Sequence, residues 1–251
     1  MRYVLRADAS QSIGAGHVMR SSAIAEELIA VGKEVIFVGQ ITDLPWVKER
    51  IASLGFAHVY PDSNGFESNP DSDVLILDSY EIDESDAFIA QQNWCHIIAI
   101  ADEMTPNYSC SLRIHPGLDS NWIGKSDIPI LSGPRYIPIR SSLSKKMNCE
   151  SQKLRNLKVV AVAGGSDPHE LVNEIAKNLV TFSEDFEVYL FSNSILDSHL
   201  DSRFRYVEVG NQLDELLEDV DLVLTTASTS SLEFLARGLC VGIACVVDNQ
   251  K

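Results

Sequence analysis

The sequence predicts an α/β protein built on two parallel sheets covered by helices. Three observations carry this prediction. Short apolar runs alternate with stretches of helical spacing along the chain, as in successive βαβ units. The alternation comes in two series, parted by a polar stretch from Ser144 to Asn156. Each series opens with a strand that enters a glycine loop and then a helix: Tyr3–Leu5 before Gly14-Ala-Gly16, and Leu157–Ala163 before Gly164-Gly165. A chain of 251 residues has room for two modest domains, which we place at 1–146 and 147–251.

In the first series, Ile24, Leu28 and Val31 fall on one helical face, with Ala25 and Ile29 beside it. Gly32 ends that helix as a C′ glycine. Glu34–Val38 is a buried strand, Leu44–Leu54 a helix stopped by Gly55, and Ala57–Tyr60 a short strand. Pro61–Pro70 is a loop rich in Asn, Ser, Asp and Gly. Val74–Leu77 is a strand, Glu84–Asn93 a helix and His96–Ile100 a strand. Leu112–His115 and Pro129–Leu131 are shorter strand candidates.

In the second series, Asp167-Pro168-His169-Glu170 reads as a helix start, with Asp167 as N-cap, Pro168 at N1 and Glu170 at N3. That helix runs to about Val180. Strands at Glu187–Phe191 and Phe204–Val207, a short helix at Leu213–Leu217 and a strand at Leu222–Leu224 follow. Ser231–Arg237 is a helix ended by Gly238, and Val241–Val247 is the last strand. A domain of this kind normally needs a further helix or two over such a strand, so the second domain is expected to be incomplete.

The formal net charge of −16 argues against nucleic acid and anionic membrane surfaces as partners. It leaves an anionic small ligand open, because helix mouths act locally. There is no run of about eighteen apolar residues, so no membrane insertion is expected. The first residues enter a strand rather than a signal-peptide core. Cys95, Cys110, Cys149, Cys240 and Cys245 are odd in number and form no C-x-x-C pair, which fits a reducing cytoplasm. Cys240 and Cys245 adjoin an apolar run and read as small core residues.

Ligands of open α/β sheets bind at the carboxyl ends of the strands. Three loops there have suitable chemistry. In Ser12–Arg20, Gly14 and Gly16 allow close backbone approach, and the first helical N–H groups attract anions. His17 is the side chain there that changes protonation near neutral pH. An ordinary glycine turn with an incidental histidine suits the stretch equally well. Met19 stands at the third glycine of G-x-G-x-x-G, and Val38-Gly39 stand where an acidic residue would end the next strand. The dinucleotide fingerprint is therefore not met. No Lys-Ser or Lys-Thr pair follows, which excludes a P-loop.

The second loop is Gly164–Pro168, where Ser166 could approach a base, ribose or phosphate; by residue type a tight turn is favoured. The third is Thr225–Glu233. The hydroxyls of Thr229, Ser230 and Ser231 suit a pyrophosphate, and Glu233 can accept two hydrogen bonds from a ribose diol. A favourable interaction of Glu233 with the helix dipole is the plainer alternative. Asn249 and Gln250 follow the last strand as loop residues able to close over phosphates. Asp8 ends the first strand, where it would orient His17, bind sugar hydroxyls or only make a turn. Asp78, Tyr80, Asp102 and Glu103 end further strands. Their spacing matches no metal motif, so neither a metal nor another cofactor is expected. His115 and His169 are weaker candidates.

Arg6-Ala-Asp8, Ile13-Gly-Ala-Gly-His17-Val-Met-Arg20, Asp78-Ser-Tyr80, Gly133-Pro-Arg-Tyr136 with Arg140, Gly164-Gly-Ser-Asp-Pro168, Ser228-Thr-Ser-Ser-Leu-Glu233 and Asn249-Gln250 fall in a telling order. On these motifs the chain resembles the PseG-type UDP-sugar hydrolases and the related SpsG-like spore-coat polysaccharide proteins. More distantly it resembles MurG-like glycosyltransferases. The resemblance spans essentially the whole chain, and the segment from Arg6 to Arg20 is its specific part. It implies a GT-B-like architecture of two Rossmann-like domains facing across a cleft. It also implies hydrolysis of UDP-2,4-diacetamido-2,4,6-trideoxy-β-L-altropyranose to UDP and free sugar, for pseudaminic acid or surface polysaccharide synthesis.

The resemblance makes His17 the general base that activates water, places Glu233 on the uridine ribose, and puts Ser230, Ser231, Asn249 and Gln250 near the pyrophosphate. The expected site is thus His17 and Asp8 for catalysis. Gly14, Gly16, Arg20, Tyr80, Ser166, Thr229, Ser230, Ser231, Glu233, Asn249 and Gln250 are expected to bind substrate. UDP leaves readily, helix-mouth N–H groups stabilise its charge, and a neutral imidazole contributes about 10²–10⁴-fold as base. The chain departs from the family pattern at Ser79, where many relatives have histidine, and at Glu103, where aspartate is common. A glycosyltransferase of the same architecture, a non-catalytic nucleotide-sugar-binding subunit and a purely structural α/β domain are the alternatives.

Overall fold

Two all-parallel sheets form the protein in the computed structural model, which describes residues 1–61, 66–90, 92–102, 108–118, 127–144, 156–165, 167, 170–192 and 200–246. The chain divides into two compact units: Met1–Ile13 with His17–Arg140, and Gly14–Gly16 with Ser141–Lys251.

In the first unit, β1 (Arg2–Arg6), β2 (Glu34–Val38), β3 (Ala57–Val59), β4 (Asp73–Leu77), β5 (His96–Ile100), β6 (Leu112–His115) and β7 (Ile130–Ser132) lie in the order β3-β2-β1-β4-β5-β6-β7. The register places Arg6 beside Val38 on one side and Leu77 on the other. Every residue of β4 is buried, which explains its unbroken apolar run Val74–Leu77. Val4, Leu75, Leu77 and Ala99 pack with Ile82, Tyr108 and Cys110, and the rings of Phe66, Phe88 and Trp94 close over them.

The first helix, α1 (Gly16–Ala30), buries a different face from the one its large residues suggest. Val18, Ser21, Ser22 and Ala25 are buried, whereas Ile24 and Leu28 are half-buried and Ile29 and Val31 are exposed. Small residues on the inner face let the helix axis approach the sheet closely. The helix closes in a Schellman motif: Gly32 N–H donates to Ile29 O at 2.8 Å and Lys33 N–H to Leu28 O at 2.9 Å. Gly32 has the positive φ of 72° that this motif needs.

The second helix, α2 (Pro45–Ser53), lies within the expected bounds. The helix expected over Glu84–Asn93 shrinks to α3 (Ala87–Ala90). Asp83 accepts a hydrogen bond from Ser85 N and Asp86 accepts one from Phe88 N, each at 2.8 Å. Such side-chain turns compete with helical hydrogen bonds.

Just past β2, a side chain at Gly39 has no room: a Cβ would sit 1.9 Å from Ala7 O and 2.8 Å from the Phe37 ring. Backbone therefore fills the place where a dinucleotide-binding fold carries its acidic residue. Gly39→Ala is expected to destabilise the chain by about 1–3 kcal/mol through overpacking, read as a lower urea midpoint at unchanged m.

The second unit carries β8 (Leu157–Val162), β9 (Phe186–Phe191), β10 (Phe204–Val207), β11 (Leu222–Thr226) and β12 (Cys240–Ala244) in the order β10-β9-β8-β11-β12. This matches the winding of the first five strands of the other sheet. Its core is Val159, Ala161, Val188, Leu190 and Phe204 against Val172 and Ala176 of α4 (Leu171–Leu179).

That helix starts at Leu171, later than the sequence predicts. Asp167 still caps it, accepting from Leu171 N at 2.8 Å and Val172 N at 3.1 Å. Glu170, expected at N3, instead precedes the helix with a left-handed φ of 51°. Pro168 and His169 lie outside the described residues, as does the polar stretch 145–155. A short helix, α5 (Gln212–Leu216), precedes β11, and α6 (Thr229–Arg237) follows it.

Among the described residues β12 is the edge strand of its sheet, and Cys240 on it and Cys245 just after it are exposed rather than core residues. Among the described residues no helix is long and apolar enough to cross a membrane.

Candidate active site

In the first sheet the winding direction reverses between β1 and β4, and open α/β sheets bind ligands outside the carboxyl ends at such a point. Asp8 follows β1, His17 and Arg20 stand on the first turns of α1, Asp78 and Tyr80 follow β4, and Asp102 follows β5. The spacing of three on α1 puts His17 and Arg20 on one side of the helix.

These residues form one connected network. His17 is 7% exposed, and its Nδ1 stands 2.6 Å from Oδ1 of Asp78, which is fully buried. A carboxylate only accepts, so the ring donates from Nδ1, and in its neutral form it carries its lone pair on Nε2. No hydrogen-bond partner for Nε2 occurs among the described residues. Arg20 donates to Asp78 through Nε at 2.5 Å and Nη2 at 2.6 Å. It donates to Asp102 through Nη1 at 2.9 Å and Nη2 at 3.1 Å. The Tyr80 hydroxyl donates to Asp102 Oδ2. The Tyr80 ring stands edge-on to His17, with centroids 4.5 Å apart and planes at 81°.

The charges support one another. Burial works against the Asp78 carboxylate, but the Arg20 guanidinium and the hydrogen bonds from Arg20 and His17 outweigh it and hold the carboxyl below its ordinary range. Asp102 is likewise held low against its burial by Arg20 and Tyr80. Burial also opposes the charge of Arg20, yet Asp78 and Asp102 keep it protonated well above its ordinary value. Desolvation, reinforced by the Asp102 charge, pushes the Tyr80 phenol up, so it remains a donor.

The residue holding the imidazole is Asp78, whereas Asp8 was expected there. Asp8 accepts from Arg6 Nη1 at 2.5 Å and from Gln40 N at 2.7 Å, which ties the end of β1 to the loop after β2. Of the two loop glycines, Gly14 has a positive φ of 83°, and an added Cβ at either Gly14 or Gly16 would meet no atom within 4 Å. His115 is buried at the end of β6, its Nδ1 3.1 Å from Ala101 O.

In the second unit, α6 opens on a reciprocal cap. Ser231 Oγ accepts from Ser228 N at 3.3 Å and donates to Ser228 O at 2.7 Å. At 2% exposure Ser231 therefore serves the cap, while Thr229 and Ser230 stay partly exposed on the first turn. Glu233 is 4% exposed and sits one turn further in. Helix-dipole effects fade within the first turn, so they explain this buried carboxyl poorly. Ser166, Asn249 and Gln250 lie outside the described residues.

Sequence reasoning singled out His17, Arg20 and Tyr80 but missed how Asp78 and Asp102 act. Both were visible as strand-end carboxylates. A strand order running from β1 to β4 to β5 would have placed them beside the β1–α1 loop.

Two parallel sheets wound in this way, with their helices, have the α/β GT-B-like fold. No family model matches the chain. Among curated relatives it is similar to an uncharacterised protein of Methanocaldococcus jannaschii, 23% identical over 96% of this chain and 55% of that protein. It is also similar to the UDP-N-acetylglucosamine–N-acetylmuramyl-(pentapeptide) pyrophosphoryl-undecaprenol N-acetylglucosamine transferase of Clostridium botulinum, 25% identical over 88% of this chain and 73% of that enzyme. The chain thus spans little more than half the length of the first of these. Among solved structures, MurG of Acinetobacter baumannii superposes with a TM-score of 0.62 at 11% identity, over 100% of this chain and 81% of that one. Anabaena HepE, solved in complex with UDP and glucose, superposes with a TM-score of 0.58 at 12% identity, over 96% and 80%.

Proposed function

We propose that this protein is a cytoplasmic enzyme that moves a glycosyl group from a UDP-sugar to a hydroxyl acceptor, with His17 as general base. The observation that carries this reading is the short bond between His17 Nδ1 and buried Asp78, which in the neutral ring leaves Nε2 as a lone-pair acceptor. In the reaction, Nε2 takes the proton of the acceptor hydroxyl. The acceptor oxygen bonds to the anomeric carbon, and the bond from that carbon to the diphosphate oxygen breaks with its electron pair leaving on UDP. UDP is a good leaving group, so no strong acid is needed at that oxygen. The similarity to nucleotide-sugar transferases supports the donor class.

In this reading domain 1–146 carries the base, with Asp8, Gly14, Gly16, Arg20 and Tyr80 around it. Domain 147–251 holds UDP, with Thr229 and Ser230 at the diphosphate and Glu233 at the ribose, while Ser231 caps the helix that carries them. Ser166, Asn249 and Gln250 complete it.

A second reading keeps the same site and replaces the acceptor by water. It is favoured by the run Gly14-Ala-Gly16-His17-Val-Met-Arg20, which resembles the hydrolases of diacetamido-trideoxy UDP-sugars. Incubation with a panel of UDP-sugars, with and without candidate sugar and lipid-linked acceptors, separates the two. A glycoside product that needs the acceptor supports transfer. Free sugar released at the same rate without acceptor supports hydrolysis. UDP binding with no turnover under any condition would identify a binding subunit and sink both.

A further inference from the structure

Arg20 stands where a cation for the substrate was expected, yet four of its five N–H hydrogens go to protein carboxylates. We propose that Arg20 is a positioning residue which, clamped between Asp78 and Asp102, fixes His17 in the tautomer with the proton on Nδ1 and the lone pair on Nε2. This rests on the reading of His17 as a base.

Donor counting carries the inference. Nε gives its one hydrogen to Asp78 Oδ2, and Nη2 gives one to Asp78 Oδ1 and one to Asp102 Oδ2. Nη1 gives one to Asp102 Oδ1. Nη2 also lies 3.3 Å from His17 Nδ1, close enough to donate to it if a hydrogen were free. Its two hydrogens have nearer acceptors in Asp78 Oδ1 at 2.6 Å and Asp102 Oδ2 at 3.1 Å. Nδ1 has therefore only one satisfied state, donation to Asp78 Oδ1.

The fork also fixes the plane of the Asp78 carboxylate, since both its oxygens are held by one rigid group. Without Asp102, one Nη2 hydrogen is released and can reach Nδ1. The ring then keeps its proton on Nε2, where it blocks the base. Asp102 is in this sense the outer stop of the clamp, and Tyr80 steadies it by donating to Oδ2.

The test reads the tautomer directly, by two-bond nitrogen–proton NMR of the ¹⁵N-labelled chain without ligand, at a pH where the ring is neutral. The wild type is expected to show His17 wholly with Nδ1 protonated. Arg20→Lys keeps a positive charge but loses the fork, and Asp102→Asn frees an Nη2 hydrogen. Both are expected to populate the form with Nε2 protonated, and turnover falls at least in proportion. The Asp102 side chain is a third exposed, so its variant serves if Arg20→Lys fails to fold. Wild-type tautomer in a folded variant, or Nε2 protonated in the wild type, overturns the proposal. Absence of turnover on any UDP-sugar by a wild type with Nδ1 protonated would sink the function and leave the clamp standing.

Discussion

His17→Asn is expected to slow turnover of a UDP-sugar by about 10²–10⁴-fold, the usual worth of a positioned general base, while UDP still binds. Asparagine reaches the Asp78 carboxylate with its amide, as the imidazole does with Nδ1, so the buried partner keeps a donor. It has no lone pair that can take a proton from a hydroxyl at neutral pH. The loss thus falls on the chemical step. UDP binding, which we assign to the second domain, is read separately by calorimetry. A variant that turns over at the wild-type rate would remove His17 from the chemistry. One that loses UDP binding as well would show that the histidine holds substrate.

Asp78→Asn is expected to cost both activity and stability. The side chain is fully buried and holds Arg20 and His17 together. Removing one member of a buried ion pair typically costs about 3–5 kcal/mol, because the surviving charge stays desolvated. Arg20 keeps Asp102, so the lower end, about 3 kcal/mol, is expected here. A fall in the urea midpoint at constant m measures it. Turnover should drop at least as far as for His17→Asn, since the imidazole loses its anchor.

The same pair sets an acid limit. Asp78 and Asp102 titrate below their unfolded values, so the unfolded chain binds protons first. Their contribution is present in full above the ordinary carboxylate range and is lost as pH falls through the lowered folded values. Unfolding midpoints measured from neutral to acid pH should therefore fall in the wild type and fall less steeply in Asp78→Asn.

The sheet strands were legible because parallel sheets buried on both faces need unbroken apolar runs. Glu34–Val38 and His96–Ile100 were bounded correctly from sequence for that reason. Helices were less legible where side chains offer the backbone other partners. Asp83 and Asp86 shorten α3, and Asp167 with a left-handed Glu170 delays α4. The face of α1 was misread because packing distance, set by Ser21, Ser22 and Ala25, outweighed the pull of Ile24 and Leu28. In the site, His17 announced itself through its glycine loop. Asp78 and Asp102 did not, because their meaning comes from strand order, which brings residues 61 and 82 positions away to the first turns of α1. Ser231 is ambiguous by nature: one hydroxyl at a helix mouth serves a phosphate or a cap equally well, and here it serves the cap.

The most direct measurement is the rate of UDP release from a panel of UDP-sugars by the wild type and His17→Asn, at equal concentration and at saturating donor and acceptor. The mechanism predicts release by the wild type on at least one donor, and a rate at least about 100-fold lower in the variant. Equal rates in the two proteins would contradict it.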